Sequence, residues 1–470
     1  MQQYKIFLAG SFVETSKKAD VINPFSGETF AQTFLAGEED LEKAITKAET
    51  VSKELRDLPS HKRYEILMQI ANEIKQQREH LASLLSQESA KPIRYALAEI
   101  DRAAQTFIIA AEESKRLPKE YISLDWTPAG EGKEGIIKYF PVGLVAGIAP
   151  FNFPLNLAVH KIAPAIAAGC PIILKPASST PLSTLELAKI IDRTSLPKGA
   201  VSILPMDRKT GNQLVTDERF KLLSFTGSPI VGWEMKKNAG KKKTILELGG
   251  NAAVIITGSA DLKKALPKCI TAAFAYSGQI CIHAQRFYVH ESILDEFTKQ
   301  FLEAVKNLKQ GNPADANTDI SHMIDEDNAV RVESWINEAA EQGAKILSGG
   351  TRNGSFIEPS VLTGTNKRMK VNCEEIFGPV VIIEKYKAFA EAISLVNDSV
   401  FGLQAGVFTN DVGEIAEAFS NIEVGGVIIN DVPAFRVDHM PYGGIKDSGL
   451  GREGVKYAIM DMMEARILVK

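Results

Sequence analysis

Three side chains in this sequence are of types that do covalent chemistry together: a thiol, a carboxylate and a carboxamide. Cys281 lies in FAYSGQICI, residues 274–282, behind a Gly278-Gln279 turn and a small-residue run at 271–273. It is either a nucleophile or, as free cysteines usually are, a small buried hydrophobe between Ile280 and Ile282. Glu247 sits among apolar residues in LELGG, 246–250. Burial favours the neutral carboxyl and raises its pKa toward that of a useful general base; the alternative is a structural pair with Lys243. Asn152, in PFNFP, is a turn residue or an amide donor to a developing oxyanion. Lys175 follows an apolar run and reaches either solvent or ribose and phosphate oxygens. In FTGS, 225–228, Thr226 and Ser228 read as caps of the next helix, whose free amides would suit a phosphate. No GxGxxG occurs.

These residues fall at the ends of predicted elements. From residue 142, short apolar runs (142–149, 171–174, 200–204, 222–225, 244–248) alternate with helical segments (155–168, 181–193, 211–217, 228–239). That alternation predicts an α/β fold, a mainly parallel sheet with helices on both faces, which binds ligands at the carboxyl ends of its strands. A second α/β series starts at 252–257. It continues through 261–276, 286–290, 293–308 and 330–342, with strands near 380–384 and 426–430. Before them, residues 1–30 read as short strands and turns, and 37–117 as helical. Ile66, Leu67, Ile70 and Ile74 define one apolar face, with Ser60 as the cap before a helix over 63–79. Residues 118–139 form an excursion. The terminal ARILVK is a strand with no partner nearby in sequence, and pairing with another subunit is one solution.

Composition narrows the function classes. A length of 470 residues allows about three domains. A net charge of −4 leaves no basic excess for a phosphate backbone, so nucleic acid is not an expected partner. Four scattered cysteines without CxxC spacing argue against a disulfide framework and against a cysteine metal site. No apolar run reaches membrane-spanning length and no signal peptide is evident, so a membrane is not expected and a reducing cytoplasm fits best.

Taken together, FNFP (151–154), KPAS (175–178), FTGS (225–228), LELGG (246–250), GQIC (278–281), EEIFGP (374–379) and PYGGIKDSGLGREG (441–454) resemble the aldehyde dehydrogenase superfamily, in its order and over nearly the whole chain. The resemblance implies a Rossmann-like NAD(P)-binding domain (1–118 and 140–249), a catalytic domain (250–445) and a small β oligomerisation element (119–139 and 460–470). It implies Cys281 as nucleophile, Asn152 with the Cys281 amide as oxyanion site, and Glu247 as the base that hydrolyses the thioester. Members that pass the acyl group to coenzyme A typically lack that glutamate, so hydrolysis is expected. Lys175 would contact the adenosine ribose and Ser228 the pyrophosphate, with Phe225 and Gly227 of the same turn. Glu375 and Phe377 would position the nicotinamide ribose and ring. Many NAD-preferring members carry Glu three residues after the lysine; Ser178 stands here. A carboxylate would repel a 2′-phosphate, so NADP is expected to be accepted, with NAD use also open.

For the substrate, the resemblance to members that bind anionic tails points to Arg102 and Arg436, with Phe153 and His160 as further pocket residues. A third arginine of those relatives is Ile280 here. The expected substrate is a short polar or anionic aldehyde; ion pairing is the alternative role for both arginines. A general aliphatic aldehyde dehydrogenase, a cofactor-independent thiol esterase and an inactive binding relative are the competing readings. The terminal strand and the excursion imply a homodimer or homotetramer. Apolar flanks would keep the Cys281 thiol neutral, so its activation is expected from Glu247.

Overall fold

The computed structural model describes all residues, 1–470. An eight-stranded sheet runs Gly449–Leu450, Lys243–Glu247, Leu222–Thr226, Val145–Ile148, Ile172–Lys175, Val201–Ile203, Ile6–Leu8, Ser11–Val13. Its five middle strands, 243–247 through 201–203, are parallel. Chain order reverses between Val145–Ile148 and Leu222–Thr226, and the carboxyl ends at such a reversal form a crevice. Asn152 and the FTGS turn emerge there.

A second, seven-stranded sheet runs Lys345–Ser348, Ser360–Thr363, Val380–Tyr386, Arg286–His290, Ala253–Ile256, Gln404–Phe408, Gly426–Ile429, parallel except at its first strand. Helices cover both sheets. Pro154–Ala168 is buried along its whole length, opens on Pro154 at its first turn and stops at Gly169 with φ +86°. No helix is long and apolar enough to cross a membrane.

Several expected details differ. The helix expected over 63–79 is two helices, Ser60–Gln76 and Arg78–Ser89, and Pro59 rather than Ser60 occupies the cap position. The excursion contains strands Lys119–Ser123 and Glu134–Pro141. The terminal strand, Met463–Val469, pairs antiparallel with Glu134–Pro141 of its own chain, from Met463 opposite Pro141 to Val469 opposite Gly135. The partner missing from the neighbouring sequence thus lies more than 320 residues upstream. The outer edge of Met463–Val469 ends the three-stranded sheet.

Candidate active site

Cys281 follows the helix Leu262–Phe274 across a backbone held out of its preferred conformations. Tyr276 and Ser277 have φ of +49° and +53°, each a cost of roughly 1–3 kcal/mol that neighbouring contacts must offset. Tyr276 donates its hydroxyl to the Ser89 carbonyl at 3.2 Å, and Ser277 to the Ser321 carbonyl at 2.6 Å. Gly278, at φ +67°, admits no side chain, since a Cβ would lie 2.1 Å from the Gly378 oxygen. Cys281 is half-buried, its Sγ 3.3 Å from the Tyr442 hydroxyl. Burial pushes the thiol up to about 11, against the Tyr442 hydrogen bond, which favours the thiolate.

Glu247 ends the strand Lys243–Glu247. Its Oε1 is buried without a hydrogen-bond partner, facing Gly443, whose added Cβ would stand 2.8 Å away. Burial, then the Glu453 carboxylate, holds Glu247 well above the ordinary range, while Arg436 and Lys161 pull the other way. The alternative pairing with Lys243 does not form: Lys243 reaches Glu464 at 2.8 Å and the carbonyls of Asp461 and Met463. Asn152 is buried, donating its amide to the Gln279 carbonyl at 3.0 Å and accepting from the Phe153 amide. It is therefore bonded to the segment that carries Cys281.

Beside these groups lies a buried charged cluster. Arg436 Nη2 bonds Glu453 at 2.8 Å, and its guanidinium lies 3.7 Å over the Tyr442 ring. Arg102 Nη2 bonds Asp438 at 2.7 Å, and His160 Nε2 meets the same carboxylate at 2.9 Å. Lys161, fully buried, is 2.8 Å from Thr226 Oγ1 and 3.5 Å from Glu453. Burial alone would raise Asp438 and Glu453; His160 and Arg102 hold the first low, and Lys161 and Arg436 the second. Burial, aided by Arg436, lowers His160, while Asp438 and Glu453 pull the other way. Both arginines are thus ion-paired, the alternative left open above, yet each retains a buried Nε without a partner.

The residues expected at the cofactor lie around the crevice. Neither Ser228 nor Thr226 caps the helix Pro229–Asn238: Ser228 occupies the cap position without a side-chain bond, and Thr226 accepts from Lys161. No side chain therefore caps the amides that follow Pro229 in the first turn, a condition for an anion site. Gly227 lies against the Phe225 ring, which a Cβ would approach to 2.5 Å, and that ring is buried in the core. Lys175 is half-buried, its ammonium reaching only the Pro176 carbonyl at 3.4 Å, and Ser178 is exposed. Glu375 accepts from the Gly250 amide at 3.0 Å and is raised by burial to about 7. Gly249 leaves that carboxylate its space, since a Cβ would sit 2.1 Å from it. Phe377, at φ +44°, packs edge-on against Phe151. These groups fit a dinucleotide: unspent amides for phosphate, an available ammonium and a carboxylate for ribose hydroxyls.

Lys161, Asp438, Tyr442 and Glu453 were not singled out from the sequence. Tyr442 and Glu453 lie inside the PYGGIKDSGLGREG match, and Lys161 is the one basic residue besides His160 in a helix whose only other polar side chain is Asn156. That isolation was the available signal.

The aldehyde dehydrogenase family model matches residues 12–468. A 3-sulfolactaldehyde dehydrogenase of Priestia aryabhattai is 43% identical over 470 residues, 100% of this chain and 98% of the relative. Among solved structures, aldehyde dehydrogenase 21 from Physcomitrella patens, in complex with the reaction product succinate, has a TM-score of 0.99 at 46% identity, covering 100% of this chain and 98% of that one. Glyceraldehyde-3-phosphate dehydrogenase GapN from Methanocaldococcus jannaschii, complexed with NADP, has a TM-score of 0.93 at 39% identity, covering 97% and 100%.

Proposed function

The chain belongs to the aldehyde dehydrogenase family, and on that premise we propose that it oxidises a short polar or anionic aldehyde to the carboxylic acid with NADP or NAD. The observation that carries the substrate reading is the position of Arg436: its guanidinium lies over Tyr442, whose hydroxyl is within 3.3 Å of the Cys281 sulfur. Although Arg436 is paired with Glu453, its charge acts on the Cys281 thiol and its Nε is without a hydrogen-bond partner, which favours a substrate whose tail is negative or rich in hydrogen-bond acceptors. Arg102, 32% exposed on its side chain, supplies a second. The relatives' names, a sulfonated aldehyde and a succinate complex, agree with such a pocket.

Glu247, directly or through a water, takes the Cys281 proton as the sulfur adds to the aldehyde carbon, and then passes that proton to solvent. The thiohemiacetal so formed has its oxyanion stabilised by the Asn152 amide and the Cys281 backbone N–H. The oxidised nicotinamide supplies the acceptor for the hydride, and a Cys281 thioester results. Lys175, Ser228, Glu375 and Phe377 would hold the cofactor, with Ser178 leaving room for a 2′-phosphate. Glu247 takes a proton from water as that water attacks the thioester. Collapse of the tetrahedral adduct releases the carboxylic acid and returns the thiol. Glu247 suits this role because its raised pKa brings its basicity nearer to neutral pH.

In the same reading residues 1–118 and 140–249 bind the cofactor, 250–445 carry the nucleophile, and the free edge of Met463–Val469 with residues 119–139 joins subunits into a dimer or tetramer, in the cytoplasm. The substrate reading is tested by kcat/KM for succinic semialdehyde and 3-sulfolactaldehyde beside hexanal, with each cofactor. At least a tenfold advantage for the anionic aldehydes is expected, about 1.4 kcal/mol and within the worth of one charged hydrogen bond. Arg102→Ala should erode it. A preference for hexanal would reject the anionic pocket.

A further inference from the structure

The turn at residues 89–92 lies outside the site described above, yet it touches both halves of it. Lys91 is fully buried and ion-paired with Glu99, which is equally buried. Its ammonium also donates to the backbone carbonyl of Asn152 at 2.6 Å and lies over the rings of Phe153 and Tyr276, 3.9 and 4.5 Å from their centroids. Glu99 spends its other oxygen on the amides of Leu155 and Asn156, both at 3.1 Å, and so caps the helix that begins beside Asn152. On the other side, the Tyr276 hydroxyl is bonded to Ser89, two residues from Lys91. Tyr276 begins the left-handed backbone that leads to Cys281. One buried cation therefore contacts the Asn152 loop through its carbonyl and the Cys281 loop through an aromatic face.

A charge without solvent is retained only where paired and hydrogen-bonded, and removing one partner leaves the other uncompensated. A stability role alone would not require both partners of the pair to spend bonds at Asn152 and its helix start. We propose that Lys91 is a positioning residue for the oxyanion site, fixing the Asn152 amide relative to the Cys281 sulfur from behind both loops. The inference rests on the roles of Asn152 and Cys281 given under Proposed function.

The test is a cycle of variants assayed with succinic semialdehyde and NADP. Asn152→Ala is expected to lower kcat about a hundredfold, the scale for loss of one oxyanion donor. Lys91→Met is expected to lower kcat about ten- to a hundredfold, since a displacement near 1 Å costs that much, with the Kd of NADP changed less than about twofold. In the Asn152→Ala background, Lys91→Met should then cost no more than about threefold, because the amide it positions is gone. Should Lys91→Met fold poorly, Lys91→Met/Glu99→Gln replaces it throughout. That variant keeps an acceptor for Leu155 and Asn156 and leaves no lone buried charge. Losses that multiply across the cycle, or a Lys91 variant with undiminished kcat, would overturn the positioning role alone. An Asn152→Ala enzyme with full kcat would instead overturn the oxyanion reading on which it rests.

Discussion

The resting thiol of Cys281 should react with iodoacetamide far more slowly than an ordinary cysteine, and its rate should climb with pH without levelling. Burial pushes it to about 11, from 9.0 for an unperturbed thiol. At pH 7.5 the thiolate fraction is then roughly 3 in 10,000, against roughly 3 in 100 for the unperturbed group, a hundredfold deficit. The more basic thiolate is the better nucleophile, and a Brønsted coefficient of about 0.4–0.5 returns close to tenfold over two pK units. A net retardation of about tenfold remains. Tyr442→Phe removes the hydrogen bond that favours the thiolate and should slow alkylation by a further factor of about three to ten at fixed pH. The assay is site-resolved mass spectrometry of the cofactor-free enzyme between pH 6 and 10, which separates Cys281 from the partly exposed Cys373. The logarithm of the rate should rise by about one per pH unit throughout. A plateau near pH 7 would mean an activated resting thiolate and would refute the reasoning.

Two further outcomes follow from the charges. Ser178→Glu should lower kcat/KM for NADP at least about tenfold while leaving NAD within about threefold, because a carboxylate there faces the 2′-phosphate; a strong NAD preference in the parent enzyme, unchanged by the substitution, would contradict this. Glu453→Gln removes a carboxylate that raises Glu247, so the acidic limb of the kcat profile, where Glu247 must lose its proton to act as base, should move to lower pH. The same change strands Lys161 and Arg436 and should lower stability by about 3–5 kcal/mol near pH 7. Glu453 is held below its ordinary 4.5 in the folded chain. Its contribution is therefore complete above about pH 4.5 and fades on further acidification, so the Tm gap between parent and variant should narrow there.

Local pattern made most of the architecture legible. Period and punctuation placed the five parallel strands of the first sheet and four strands of the second because each is a short apolar run between turns, whereas Lys345–Ser348, Ser360–Thr363 and Gly449–Leu450 gave no such signal. Gln404–Phe408 gave no clear signal although it is paired on both sides: its Gly406 is required by the Asp431 oxygen, 2.7 Å from where a Cβ would lie, and a glycine weakens the strand signal. The helix over 63–79 was expected unbroken because nothing in the sequence marks Gln77 as the joint. The Cys281, Glu247 and Asn152 triad was legible as chemistry, but the partners of its charges were not. Lys161 and Glu453 are 292 residues apart, and Arg102 and Asp438 are 336 apart. Residue type alone could not distinguish a substrate-facing arginine from a paired one, and these are paired with side chains that no local pattern connects to them.

The central claim is that Cys281 carries the acyl group and Glu247 brings the water that removes it. Glu247→Gln, mixed with NADP and succinic semialdehyde and followed through its first turnover, should give a slowed burst that still approaches one NADPH per active site, because solvent can take the Cys281 proton, and then turnover reduced about a thousandfold. Intact-mass analysis should find the acyl adduct on Cys281. A variant that turns over at the parent rate, or a burst that leaves no added mass on Cys281, would contradict the account.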